Sequence, residues 1–93
     1  MELRYYIDPG TGSPHLYKHR VSEAEVEDVL AHPLEDRAGA EGARIAIGRT
    51  HTGRYLRVVY IPDPNVGSIF VITAYDLGAK AKRALQRRRR KKR

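Results

Sequence analysis

Three runs rich in Ile, Val, Tyr and Thr, Arg44 to Thr50, Tyr55 to Ile61 and Ser68 to Tyr75, follow one another with only His51-Thr52-Gly53-Arg54 and Pro62-Asp63-Pro64-Asn65-Val66-Gly67 between them. β-branched and aromatic residues suit a pleated, half-buried surface, and Gly, Pro, Asn and Asp suit tight turns, so this half of the chain predicts an antiparallel three-strand meander. A two-residue turn at Thr52-Gly53 would put Ile45, Ile47 and Arg49 on one face with Tyr60, Val58 and Leu56. Ala46, Gly48 and Thr50 would then share the other face with Val59, Arg57 and Tyr55. The first face is the expected core, and the second is a shallow floor open to a ligand. For the third run two registers fit equally well, one burying Ile69, Val71, Thr73 and Tyr75 and the other Phe70, Ile72 and Ala74.

What precedes and follows the meander is read from local signals. Leu3 to Ile7 predicts an N-terminal edge strand, and the turn formers from Asp8 to Pro14 predict a loop after it. Ser22 followed by Glu25 is a capping box flanked by a Val21/Val26 hydrophobic staple, so a helix starts at Ser22. Its apolar stripe is Val26, Val29 and Leu30, and Pro33 ends it. Glu35 to Gly42 is polar and predicts a connecting loop. Asp76 is a candidate cap for a last helix whose apolar stripe is Leu77, Ala81, Ala84 and Leu85, and which docks through its first two turns. The expected fold is α+β, a small twisted antiparallel sheet made of the meander and the N-terminal edge strand. It packs with one helix from the N-terminal half and one basic C-terminal helix.

With 93 residues, 41% of them hydrophobic, the chain makes one small domain. It has no cysteine, so no disulfide framework and no thiolate metal site is available. Of 18 Lys and Arg residues, ten lie between Ala79 and Arg93 with no acidic residue among them, which leaves eight against eleven Asp and Glu from Met1 to Gly78. The chain therefore divides into a mildly acidic domain, residues 1–78, and a basic helix or tail, residues 79–93. From Arg87 onward consecutive cations repel one another, and this end is expected to fray unless an anionic partner orders it. There is no apolar run long enough for a membrane span and no signal-peptide pattern, so the expected location is cytoplasmic and no membrane partner is called for.

Several short motifs in a fixed order resemble one family. Lys18-His19-Arg20-Val21-Ser22 with Glu25, then Ile47-Gly48-Arg49-Thr50, Gly53-Arg54-Tyr55-Leu56 running into Val58-Val59-Tyr60, and Ile72-Thr73-Ala74 are similar to the BrnT family of bacterial toxins and the wider RelE-like group, over roughly residues 15 to 85. The resemblance implies a RelE-like α+β fold, an endoribonuclease that inhibits translation on free or ribosome-bound RNA, and a cognate antitoxin protein as partner. The family commonly ends its third strand Ser-Ala-Arg, where this chain has Thr73-Ala74-Tyr75; some RelE-like ribonucleases use a tyrosine near the end of the sheet.

Cleaving RNA through its own 2′-hydroxyl takes a base for that proton, cations for the phosphate, and an acid for the leaving 5′-oxygen, with no metal or cofactor required. Arg57, Tyr75 and His51 are the candidate catalytic residues, histidine because it exchanges a proton near neutral pH. Arg49, Arg54 and Tyr55 on the hairpin are candidate RNA contacts, as are Lys80, Lys82, Arg83, Arg87, Arg88, Arg89 and Arg90 on the last helix; guanidinium groups offer paired donors to phosphate and tyrosine rings stack on splayed bases. Each has a plainer explanation: His51 as a solvated turn residue, the arginines as soluble sheet decoration, Tyr60 as core packing. His15 and His19 share a helical spacing that suits a metal but lack a third ligand. The alternative function is a noncatalytic RNA-binding or ribosome-associated domain of the same fold, and a third is a structural partner whose tail docks on an acidic protein.

Overall fold

A computed structural model describes residues 2–91. In chain order the elements are β1 (Glu2–Tyr5), β2 (Ile7–Asp8), β3 (Ser13–Pro14), a 3-10 turn (His15–His19), α1 (Glu23–Ala31), β4 (Glu35–Ala38), β5 (Arg44–Arg49), β6 (Tyr55–Asp63), β7 (Ser68–Asp76) and α2 (Ala79–Lys91). The architecture is α+β. Five strands form one mixed sheet in the order β1-β7-β6-β5-β4, and β2 and β3 form a separate small ribbon that joins Ile7, the last residue of the expected edge strand, to the two ends of the expected loop. The predicted meander β5-β6-β7 is the centre of the sheet.

Both edges correct the sequence reading. The N-terminal edge strand is present but runs parallel to β7, with Glu2 opposite Ser68 and Tyr5 opposite Val71, so the sheet is not wholly antiparallel. Glu35–Ala38, expected in a loop, pairs antiparallel with β5 as a fifth strand. Its Glu-Asp-Arg-Ala sequence carries no β-branched or aromatic residue, and side chains from its neighbours hold it instead. Tyr60 Oη donates to Asp36 Oδ2 at 2.6 Å, and Arg44 Nε donates to Asp36 Oδ1 at 3.0 Å.

The hairpin turn decides which residues see which side. Thr50 N–H donates to Arg54 O (2.8 Å), Gly53 N–H to Thr50 O (2.9 Å), and Arg54 N–H to Thr50 Oγ1 (3.1 Å). The turn is thus the three residues His51, Thr52 and Gly53, with Gly53 at φ +91°, a left-handed conformation glycine adopts without steric cost. A turn of odd rather than even length moves the register by one residue and exchanges the faces. Ala46, Gly48, Leu56, Val58 and Tyr60 therefore lie under α1, while Ile45, Ile47, Arg49, Tyr55, Arg57 and Val59 lie on the other face. The small residues expected to floor a ligand site instead admit a helix. A Cβ on Gly48 would stand 3.0 Å from Val29 Cγ1.

Both registers foreseen for the third strand occur, one on each side of a β-bulge. Arg57 pairs with Tyr75, Val58 with Ala74 and Val59 with Thr73, but Tyr60 then pairs with Val71, leaving Ile72 as the extra residue. Ala74 and Val71 consequently both reach the core beneath α1. Tyr75 stands beside Arg57 on the opposite face.

On α1 both capping-box bonds form, Glu25 N–H to Ser22 Oγ at 3.2 Å and Ser22 N–H to Glu25 Oε1 at 2.9 Å, and the staple residues Val21 and Val26 are buried. Asp76 is not the cap of α2. It ends β7, and the helix opens with Lys82 N–H donating to Gly78 O at 2.9 Å. α2 then crosses the second face, where Leu85 is 0% exposed and packs with Ile47 and Leu77. It does not fray at Arg87. The helix runs on to Lys91, with Arg88 bidentate on Glu35 (2.8 and 2.9 Å) and Arg89 Nη1 donating to Leu34 O at 2.9 Å. The expected frayed end includes Lys92 and Arg93, which lie outside the described residues. Among the described residues no helix is long and apolar enough to cross a membrane.

If Leu85 anchors α2 to a second core, Leu85→Ala leaves a cavity there and lowers the unfolding free energy by about 2–5 kcal/mol. Urea denaturation followed by circular dichroism measures this, and an unchanged midpoint would show that α2 is not docked.

Candidate functional site

Arg54, expected to hold phosphate, is fully used by the protein itself. A guanidinium has five N–H donors. Here Nε and Nη2 donate to Asp76 (2.7 and 2.9 Å), Nη1 to Glu25 (3.0 Å) and to Arg20 O (2.7 Å), and Nη2 also to His19 O (3.1 Å). Asp76 foremost, and Glu25 after it, push the Arg54 pKa further up. In return the Asp76 carboxyl is held below its ordinary range, chiefly by its hydrogen bonds from Arg54. For Glu25 burial is the largest single effect and acts upward, but the Ser22 backbone N–H and Arg54 together outweigh it, and the carboxyl ends below its usual value.

Arg57 and Tyr75 are brought together. They face each other across β6 and β7 on the side away from α1, with Arg57 Cζ 5.9 Å from the Tyr75 ring centroid. Arg57 Nε is buried without a hydrogen-bond partner among the described residues, and so is Oγ1 of Thr73, two residues from Tyr75 on the same face. Both atoms are shielded from solvent, as is Tyr5 Oη on the α1 side, and a buried polar atom of this kind calls for a water or another partner to complete its bonding.

The histidine at this patch is His19, not His51. The His19 ring lies 5.8 Å from Tyr75 and 5.5 Å from His15, whose ring lies 6.2 Å from Tyr6. His15 Nδ1 is 3.3 Å from Asp8 Oδ2, which fixes that ring's orientation. The Lys18 ammonium at 2.6 Å, aided by the Gly10 N–H and His15, lowers the Asp8 carboxyl to about 2. His51 stands at the hairpin tip, its N–H donating to Asp28 of α1 at 3.1 Å, on the covered side of the sheet away from Arg57 and Tyr75. The His15/His19 spacing was visible in the sequence, but its meaning depends on a 3-10 turn docked against β7. Among the described residues no group of three or more His, Cys, Asp or Glu side chains converges on a metal position.

A second cationic feature lies between α2 and the end of the β5–β6 hairpin. It is an open cleft of ≈ 550 Å³ that includes Arg49, Tyr55, Arg89 and Arg90. Tyr55 does not offer a free stacking face. Its ring carries Lys82 Nζ at 4.7 Å and Arg49 Cζ at 5.7 Å, so it mounts cations rather than a base. Lys80, Arg83 and Arg87 are exposed elsewhere on α2, and Arg88 is engaged by Glu35.

The pairing of Arg54 with Asp76 and Glu25 predicts an acid-sensitive fold. Depressed carboxyl pKa values add stability that is present above about pH 4 and lost as pH falls through the folded-state values. The wild-type melting temperature should fall below about pH 4, and Arg54→Gln should lose roughly 2–4 kcal/mol at neutral pH while showing a shallower acid decline. Parallel thermal melts from pH 7 to 2 measure both; identical acid slopes would show that Arg54 does not set the carboxyl titrations.

No protein-family model, curated protein or solved structure matches the chain.

Proposed function

We propose that this chain is a toxin-like endoribonuclease of a bacterial toxin–antitoxin pair, RelE-like in fold and similar to BrnT toxins, that cleaves RNA without a metal and thereby inhibits translation. The observation that carries the reading is the pairing of Arg57 with Tyr75 across two central strands, with the His19 ring 5.8 Å from that of Tyr75 and two polar atoms, Arg57 Nε and Thr73 Oγ1, without partners among the described residues.

In this reading a phosphodiester sits over Arg57 and Thr73. Arg57 presents charged donors to the phosphoryl oxygens as negative charge develops, which is where a fixed cation contributes most. His19 takes the proton of the 2′-hydroxyl, the 2′-oxygen attacks phosphorus, and the P–O5′ bond breaks. Tyr75 gives its hydroxyl proton to the leaving 5′-oxygen, and the products are a 2′,3′-cyclic phosphate and a 5′-hydroxyl end. His51 and Arg54 have no part in it. A cognate antitoxin would silence the protein by covering this face.

A noncatalytic RNA-binding domain is the second reading, favoured by the α2 cleft, whose residues bring cations but no imidazole or carboxylate.

Incubation of the purified protein with single-stranded RNA in excess chelator separates the two. Cleavage should occur with cyclic-phosphate ends, Arg57→Ala should slow it by about 10²–10³-fold and His19→Gln by about 10²–10⁴-fold, and His51→Ala should leave it nearly unchanged. RNA that is bound but stays intact, together with normal growth of expressing cells, would leave only the binding reading.

A further inference from the structure

We infer that the cleft between α2 and the β5–β6 hairpin is a nucleotide subsite, separate from the Arg57–Tyr75 patch, that takes one phosphate and the base attached to it. Its walls are cationic. Arg49 rises from the end of β5, Arg89 and Arg90 descend from α2, and none of the residues lining the cleft is acidic. Its floor is the apolar lining contributed by Leu34 and Tyr55, with Leu85 wholly buried beside them. A flat, weakly polar ring fits such a floor, and a phosphate is the anion that arginine forks match best.

The cations are held before any ligand arrives. Arg89 is tethered through Nη1 to Leu34 O at 2.9 Å, which leaves its other N–H groups for a ligand. Arg49 lies over Tyr55, and its guanidinium also rests against the hairpin turn. A Cβ on Gly53 would stand 3.2 Å from Arg49 Nη2, so the glycine serves the cleft as well as the turn. Placing several like charges around one cavity without a counter-charge is costly, and an anion relieves that cost. Gln86, also in the lining, supplies a neutral donor and acceptor for the edge of a base.

The ligand chemistry is a nucleoside phosphate, which can come from a single RNA strand or from a free mononucleotide. The inference does not depend on cleavage, because binding here needs no proton transfer. Fluorescence anisotropy with a labelled single-stranded oligoribonucleotide, and NMR titrations with AMP and with inorganic phosphate, distinguish the sources. Arg49→Gln/Arg90→Gln should weaken oligonucleotide binding at least tenfold and reduce the salt slope by about 0.7, the amount for one lost phosphate contact on a single strand. Arg4→Gln/Lys18→Gln, which removes the same charge from β1 at the opposite edge of the sheet and from the 3-10 turn, should weaken it much less. Saturating AMP shifts at Tyr55 and Gln86 would assign the site to free nucleotides, and shifts with the oligonucleotide alone would assign it to a strand. Equal losses in the two double variants would overturn the inference in favour of diffuse attraction. So would shifts with inorganic phosphate as large as those with AMP, since the floor would then hold no base. Circular dichroism melts of both variants confirm that each is folded.

Discussion

Arg54 is the interaction on which the arrangement of this molecule depends. One guanidinium closes the 3-10 turn by binding the carbonyls of His19 and Arg20, grips the Glu25 carboxylate that also completes the α1 capping box, and holds Asp76 at the end of β7. Three segments distant in sequence are therefore fixed by one side chain. Arg20 reaches its place through a left-handed backbone (φ 58°), a conformation that costs a non-glycine residue free energy unless its surroundings demand it. The accepting carbonyl of Arg20 is part of that demand. Because His19 precedes Arg20 in this fixed turn, the same network that stabilises the fold sets where the His19 ring meets Tyr75.

That network explains why the candidate site was only partly legible in the sequence. The capping box at Ser22 and Glu25, the staple at Val21 and Val26, and the apolar stripe of α1 are local patterns, and each is realised where the spacing placed it. The three central strands were equally plain from their β-branched content. What spacing could not carry was parity. A three-residue turn in place of a two-residue one moved Arg57 and Tyr55 off the face shared with Ala46 and Gly48, and an unpaired Ile72 switched β7 from one alternation to the other midway. Turn length and bulges are set by backbone hydrogen bonding that residue types only weakly encode. β4 was invisible for a related reason, since Asp36 is held by Tyr60 and Arg44, side chains well apart from it in sequence.

Residues of one type are placed differently where that type suits two tasks. Arg54 and Arg57 are both hairpin arginines, yet one has every donor engaged by carboxylates and carbonyls while the other keeps a buried Nε without a partner. No property of the two residues alone separates them. The difference lies in Glu25 and Asp76, acids that α1 and β7 deliver to Arg54 and not to Arg57. His51 and His19 divide the same way. Each has arginine within three residues in the sequence, but the tip of the hairpin points His51 toward Asp28, and the 3-10 turn carries His19 to Tyr75.

The charge distribution takes on a different meaning once α2 is seen docked. By count ten of the eighteen cations belong to the last fifteen residues and all the acids to the domain ahead of them. In the fold the two interlock where Glu35 of the edge strand takes Arg88 of the helix. Lys82, Arg88 and Arg89 lie three or four residues from Leu85 and so flank it on one side of α2. The helix cannot bury Leu85 without also bringing Lys82 to Tyr55, Arg88 to Glu35 and Arg89 to Leu34. Apolar burial thus drives assembly of the cationic cleft, and the basic segment acts as a wall of the domain. Electrostatic attraction of an anion to this protein is on that account directed: it leads to the side of the sheet that carries Arg49 and Tyr55, the same side on which Arg57 faces Tyr75.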